Sequence, residues 1–357
     1  MGECRPPLFH WHEERGNFNG EVPEWNFMRE MPAHGQFRGR DLSPELQQVS
    51  EMRLTFWENW QTMDLLQDMV VAGERVYLLR GGDVPLVCLD LAGKPVSDFR
   101  GLRDPTGRPV DLPLAPGFNQ YAYSMCRLGN RGAIAIADAI RSQVLLADPT
   151  GMVWRIIPMS SQRHKMADIH FDEANRVLML ADPEAGCVLR FDENGSILAP
   201  MKCPGVTAAC TSPDGSRVYC LVPRRGGFVI FTPDGREVDF WRSVEIEALS
   251  RICCDRQGRL FAGAPDGQLI GFTARGEVFL PFASLWPESE ELRGNPPTLA
   301  AIQVESDDRL LIGLAGPVCG WAEVKLKPRR AQSTEPELHV NELEFPGGVA
   351  PGTEPQP

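Results

Sequence analysis

The chain holds 357 residues, 43% of them hydrophobic, and carries a net charge of −12 with a pI near 5.1. The apolar fraction is ample for a packed core, while the acidity excludes a nucleic-acid groove, which needs a basic stripe to displace counterions. No run approaches the apolar length of a membrane helix, and the opening "MGECRPPLFHWHEERG" lacks the apolar centre of a signal peptide, so the expectation is a cytoplasmic protein with no membrane insertion.

Residues 1–64 form an extension with four of the eight tryptophans (Trp11, Trp25, Trp57 and Trp60). His10 and His12 stand at i, i+2 beside Cys4, Glu13 and Glu14, a spacing that two metal ligands can share. No complementary set stands out elsewhere, so the expectation is no metal and an aromatic arm packed on the body. Ser43-Pro44-Glu45 reads as a capped helix start. Leu46, Val49, Phe56, Trp57 and Trp60 then share one broad side of a helix over 44–63; an edge strand at "MRLTFW" is the alternative.

From residue 65 the chain repeats. Tight-turn signals precede short apolar strands at "AGERVYLLR", "GNRGAIAIAD", "DEANRVLMLAD", "PDGSRVYCLV", "DRQGRLFAGA" and "SDDRLLIGLA". Glycine supplies positive φ in such turns and Asp bonds the turn backbone. With Val76, Ile134, Val177, Val218, Leu260 and Leu310 as markers, the steps are 58, 43, 41, 42 and 50 residues. A second set of turn glycines, Gly93, Gly151, Gly195, Gly235 and Gly276, keeps the same phase. Four short strands per unit of about 42 residues is the signature of a propeller blade, and residues 65–327 hold six. The sixth unit lacks an outer strand after "CGWAEVKL", and an open sheet edge must be covered. The two segments expected to close it are "NFMREM" (26–31) and "LHVNELEF" (338–345). The latter lies in a tail, 328–357, rich in Pro, Glu and Gly.

Residues 134–151, "IAIADAIRSQVLLADPTG", and 177–195, "VLMLADPEAGCVLRFDENG", carry a pattern that resembles the NHL-type and TolB-like six-bladed propellers. The resemblance implies an all-β fold of six four-stranded antiparallel blades, here with an irregular, partly helical N-terminal extension and an extended C-terminal tail. It implies no activity, since this architecture hosts many functions. The gluconolactonase-like members hold a divalent metal at the axis with Glu, Asn and Asp from inner strands. The inner strands here offer Asp68, Asp168 and His170 and no Asn or Glu. A metal-dependent hydrolase or small-ligand binder at the axial channel is therefore the alternative, and no catalytic residue and no cofactor is assigned.

The favoured expectation is a non-catalytic module that docks a protein or peptide, within a larger assembly, on the face bearing the insertions at 100–120 and 283–297. Its candidate binding residues are Asp138, Arg141, Asp182, Arg224 and Arg225 on loops between second and third strands, with Tyr121, Tyr123, Asp168 and Trp286 on segments between blades. Arginine and aromatic side chains are favoured interface anchors, and Arg224–Arg225 before two glycines suits an anionic group. Of ten cysteines, Cys88, Cys126, Cys210 and Cys220 sit inside apolar strands, where buried free thiols are expected.

Overall fold

The computed structural model describes residues 47–56, 66–80, 86–112, 123–129, 131–159, 166–242, 249–284, 298–306, 308–315 and 320–328. These form six antiparallel sheets. The first strand, β1 (Gln47–Phe56), precedes the repeats. Blade 1 is β2 (Leu66–Ala72), β3 (Arg75–Arg80) and β4 (Leu86–Asp90). Blade 2 is β5 (Tyr123–Leu128), β6 (Ala133–Asp138), β7 (Gln143–Ala147) and β8 (Val153–Pro158). Blade 3 is β9 (Asp168–Asp172), β10 (Val177–Asp182), β11 (Cys187–Phe191) and β12 (Ile197–Lys202). Blade 4 is β13 (Ala208–Thr211), β14 (Val218–Val222), β15 (Gly227–Phe231) and β16 (Glu237–Arg242). Blade 5 is β17 (Arg251–Cys254), β18 (Leu260–Gly263), β19 (Gln268–Phe272) and β20 (Val278–Ser284). Blade 6 is β21 (Thr298–Ser306), β22 (Arg309–Ala315) and β23 (Gly320–Pro328), completed by β1.

The inner strands β2, β5, β9, β13, β17 and β21 each contact the next, and β21 returns to β2. The chain is thus a six-bladed β-propeller. All six marker residues fall in the second strand of their blade. Six apolar clusters fill the interfaces between neighbouring blades. A second strand is therefore apolar on both faces, which is why "VLMLAD" of β10 is buried at every position. The DxxG turns close as their residues require. Asp148 Oδ1 accepts the Thr150 and Met152 amides at 2.9 and 3.0 Å while Gly151 turns at φ +91. In the 232–235 turn, Thr232 Oγ1 takes that capping place by accepting the Arg236 amide.

Two expectations need correction. Residues 47–56 are a strand, in line with the alternative at "MRLTFW" and not part of a helix over 44–63, and they close the ring. β1 runs antiparallel along β23 from Gln47↔Pro328 to Phe56↔Gly320. The ladder satisfies the open edge of blade 6, and this tertiary pairing outweighs the local cap signal. The segments 26–31 and 338–345, proposed above for that place, lie outside the described residues. The insertion at 100–120 also behaves differently over its described part. Arg103 exchanges backbone bonds with Gly151 and Val153 (2.9 and 2.7 Å), at the β7–β8 turn. Leu102 and Leu112 are buried between blades 1 and 2. That part is packed rim structure in a blade with three described strands, and it starts on the tight-turn side instead of projecting from the loop side.

Cys88, Cys126, Cys210 and Cys220 are buried and free. Burial pushes the Cys88 thiol up to about 11 and the other buried strand thiols Cys126 and Cys210 well above the usual range. No helix among the described residues is long and apolar enough to cross a membrane.

If the β1–β23 ladder closes the ring, the double substitution Met52→Pro and Arg53→Pro, opposite Val324 and Glu323, removes a backbone donor mid-ladder, since successive strand residues face the partner alternately. Urea unfolding should then show a loss on the order of 2–3 kcal/mol. A variant as stable as its parent would place closure elsewhere.

Candidate functional site

Strand direction separates the two faces. The turns after first and third strands lie on one side, and the β6–β7, β10–β11 and β14–β15 loops lie on the other. The candidate residues on these loops are mostly part of the scaffold. Asp138 and Asp182 are fully buried. Asp138 accepts the Arg141 amide and the Gln143 side chain (3.0 and 3.1 Å), and Asp182 accepts the Glu184 and Ala185 amides (3.0 and 2.9 Å). Both carboxylates shape turns and offer nothing to a partner. Arg141 donates to the Asp111 carbonyl, tying its loop to the rim segment. Tyr123 is core, 2% exposed. Arg225 lies 4.6 Å over the Phe240 ring and 3.7 Å from Glu237. Arg224, on the one-turn 3-10 helix Pro223–Arg225 that Gly226 ends at φ 65, is exposed. Tyr121 and Trp286 lie outside the described residues, as do His10 and His12.

Asp168 alone of these reaches the axis. There the inner strands enclose a space of about 390 Å³. Its chemistry comes from one level of the ring. Asp68 pairs across to Leu79, Ser124 to Ala137, Asp168 to Ala181 and Arg251 to Gly263, all near the loop-side ends of their strands. Alternation then turns these side chains toward the axis.

The bonds define the protonation. Asp68, 5% exposed, accepts three donors: the Met69 amide (2.8 Å), the Met125 amide (2.8 Å) and the Ser124 hydroxyl (2.7 Å). A carboxylate with three donors is held as an anion, although burial raises its affinity for protons. Ser124 has a single hydroxyl proton, and Asp68 takes it. Its 3.4 Å contact with Asp168 Oδ1 then becomes a hydrogen bond only when Asp168 is protonated and donates to Ser124 Oγ. Burial, opposed by Arg251 and reinforced by Asp68, pushes Asp168 up to about 7. The chain Asp168–Ser124–Asp68 thus carries one exchangeable proton near neutrality.

Arg251 faces this chain. Only 9% exposed, it donates from Nε to the Ala300 carbonyl (2.6 Å) and from Nη2 to the Gln67 carbonyl (3.2 Å). It thereby spans blades 5, 6 and 1. Nη1 makes no hydrogen bond among the described residues, and no carboxylate among them lies within ion-pair distance. At mid-channel, His170 Nε2 accepts the Thr211 amide at 3.2 Å, with Thr211 Oγ1 2.9 Å away. The ring is therefore the neutral Nδ1–H tautomer, and burial lowers its pKa to about 4. Nearer the tight-turn side, Arg127 and Glu173 pair at 3.3 Å.

A divalent metal does not fit this set. Asp68 is consumed by its donors, His170 by Thr211, and among the described residues no three His, Cys, Asp or Glu side chains converge. Arg251 and Ser124 are not among the residues the sequence singles out, because neither is the carboxylate, amide or imidazole that a hard-cation site on the inner strands calls for. The signal was present: Arg in "SRICCD" occupies the level of Asp in "LQDMVV".

No family model and no curated protein matches the chain. Among solved structures, virginiamycin B lyase from Staphylococcus aureus is similar over 77% of this chain and 99% of its own, at 13% identity with a TM-score of 0.53. A streptogramin B lyase is similar over 78% and 98%, at 10% identity with a TM-score of 0.52. At such identities the likeness shows the propeller fold alone.

The two channel groups have opposite effects on stability. His170, depressed from 6.5 to about 4, contributes stability that is present above its unfolded pKa and is lost as pH falls. Asp168, raised from 3.8 to about 7, contributes stability that is present below its unfolded pKa and is lost as pH rises. Between pH 4.5 and 6.5 the two slopes cancel. His170→Gln should leave stability falling with pH across that window, and Asp168→Asn should leave it rising, each on the order of 1–2 kcal/mol. Urea unfolding at both pH values checks this. Parallel slopes in the two variants would contradict it.

Proposed function

We propose that this chain is a binding propeller that takes a small polar ligand in its axial channel. The observation that carries the reading is Arg251, a guanidinium nine-tenths buried on an inner strand that lines a 390 Å³ space, with no acceptor for Nη1 among the described residues. Burying a charge is costly unless it is paired and fully bonded, so an open donor there favours a ligand that completes it. The size of the space and its few convergent polar groups suit a small molecule. The solved structures that share the fold are named as lyases of virginiamycin B and streptogramin B; a shared fold does not carry an activity across. The buried free thiols agree with a reducing compartment such as the cytoplasm.

Crystals of the full chain soaked with a library of small polar compounds should show them in the channel against Arg251. Compounds found only on the rim or the outer loops would overturn this reading.

A second reading, docking of a protein or peptide on the loop side, is favoured by one observation: Arg224 is exposed on a turn that its Gly226 cap holds in place. Arg224→Ala should change folding stability by about 0.5 kcal/mol or less, while capture of a partner from the native cell extract, read by mass spectrometry, should drop by on the order of tenfold. Equal recovery with the variant would remove Arg224 from any such surface.

A further inference from the structure

We propose that the ligand of the axial channel is a small monocarboxylate, bound as its anion by Arg251 while Asp168 keeps its proton on Ser124. The proposal rests on the channel-binding reading and adds the ligand's charge, its chemical class and its dependence on a proton.

The sign of the ligand follows from the charges that meet at this level. Asp68 on β2 is an anion held by three donors, and Arg251 on β17 is a cation. The thiols facing Asp168 from β5 and β13, Cys126 and Cys210, stay neutral because burial drives them well above their usual range. His170, two residues along β9, is a neutral acceptor already used by Thr211. On β21, Ala300 contributes a carbonyl that Arg251 already uses. With Asp168 protonated, the cluster sums to zero, and Arg251 Nη1 is its donor without an acceptor among the described residues. An anion placed there completes the guanidinium. With Asp168 ionised, the cluster carries −1, and the same anion is opposed.

The class follows from how much charge one guanidinium can offset. A single cation in a buried site balances one negative charge, so a monoanion is matched and a phosphate dianion is not. A planar carboxylate also suits the in-plane N–H groups of a guanidinium. The remaining polar atoms at this level, on Asp68, Ser124 and Asp168, are engaged with one another; the other arginines lining the space lie toward the tight-turn side, where Arg127 is paired with Glu173 and Arg256 is exposed. Binding transfers no covalent bond. The carboxylate enters, and the Asp168 proton remains on the Asp168–Ser124 hydrogen bond.

The probes are acetate, pyruvate and benzoate, titrated into the full-length protein by calorimetry at pH 6 and pH 8, with acetamide and methylammonium chloride as controls. A proton held with a midpoint near 7 predicts that carboxylate affinity falls about tenfold between those two values. Asp168→Asn, which keeps the shape and removes the charge, should flatten the dependence to less than about twofold. Arg251→Gln should abolish binding. Because Arg251 also holds two carbonyls and its loss can unfold the ring, the flattened profile of Asp168→Asn is the deciding readout. No carboxylate bound at pH 6, or an unchanged slope in Asp168→Asn, overturns the proposal. Methylammonium binding that tightens as pH rises overturns the ligand class and leaves the channel-binding reading standing. Soaks that never fill the channel remove both.

Discussion

Closing a ring of blades leaves one joint that the chain must make with a strand from outside the repeat, and here that joint is the ladder between β1 and β23. The remaining interfaces are apolar clusters between blades consecutive in sequence, each formed by strands close along the chain. Among the described interfaces between blades, the one between blades 6 and 1 joins distant segments, and its cluster brings Leu311 and Trp321 against Val76 and Leu78. Gln303 reinforces it near the axis by exchanging side-chain bonds with both backbone groups of Val71, at 2.7 and 2.8 Å. Arg251 reaches over the same joint from blade 5 to the Gln67 carbonyl of blade 1. Long-range closure of this kind carries the largest loop entropy of any contact in the fold, which accounts for the concentration of polar links across it.

The same geometry makes the channel chemically crowded. Six inner strands converge, so residues at one register level meet regardless of their distance in sequence. Asp68 and Arg251 are separated by most of the propeller in sequence, yet each faces the axis within one residue step of Asp168. A carboxylate there is stabilised only by donors from neighbouring blades, which is why Asp68 takes two of its three from Ser124 and Met125 on blade 2. Asp168 receives the Ala209 amide at 3.2 Å and a smaller contribution from the Ile169 amide. Burial raises the proton affinity of both acids; at Asp68 it is opposed by Arg251 and by the Met125, Ser124 and Met69 donors, while Asp168 is pushed up to about 7.

Much of the architecture was legible in the sequence because turns and alternation are local. Val76, Ile134, Val177, Val218, Leu260 and Leu310 each mark a second strand, and the six inner strands fall where the period put them. For residues 47–56 the local signals favour a helix, and the edge strand at "MRLTFW" stands only as the alternative. Ser43-Pro44-Glu45 is a local helix signal, whereas the open edge of β23 that recruits the segment lies more than 250 residues downstream. The loop residues show the converse limit. Asp138 and Asp182 read as exposed charges in a loop, but an Asp after a strand also caps its own turn, and burial decided for the cap. Arg251 was hidden for a chemical reason, since a search for hard-cation ligands passes over a guanidinium. The comparison of levels across repeats, not the character of any one strand, exposes it.

The charge balance at the axis depends on one proton held along Asp168, Ser124 and Asp68. Its direct measurement is an NMR titration of the side-chain carboxyl carbons in protein labelled at aspartate, with Asp168→Asn used to assign the resonance. The Asp168 carboxyl should titrate with a midpoint near 7, while Asp68 remains ionised through that range. An Asp168 midpoint near the ordinary carboxylate value of about 4 would contradict the shared proton and the charge balance built on it.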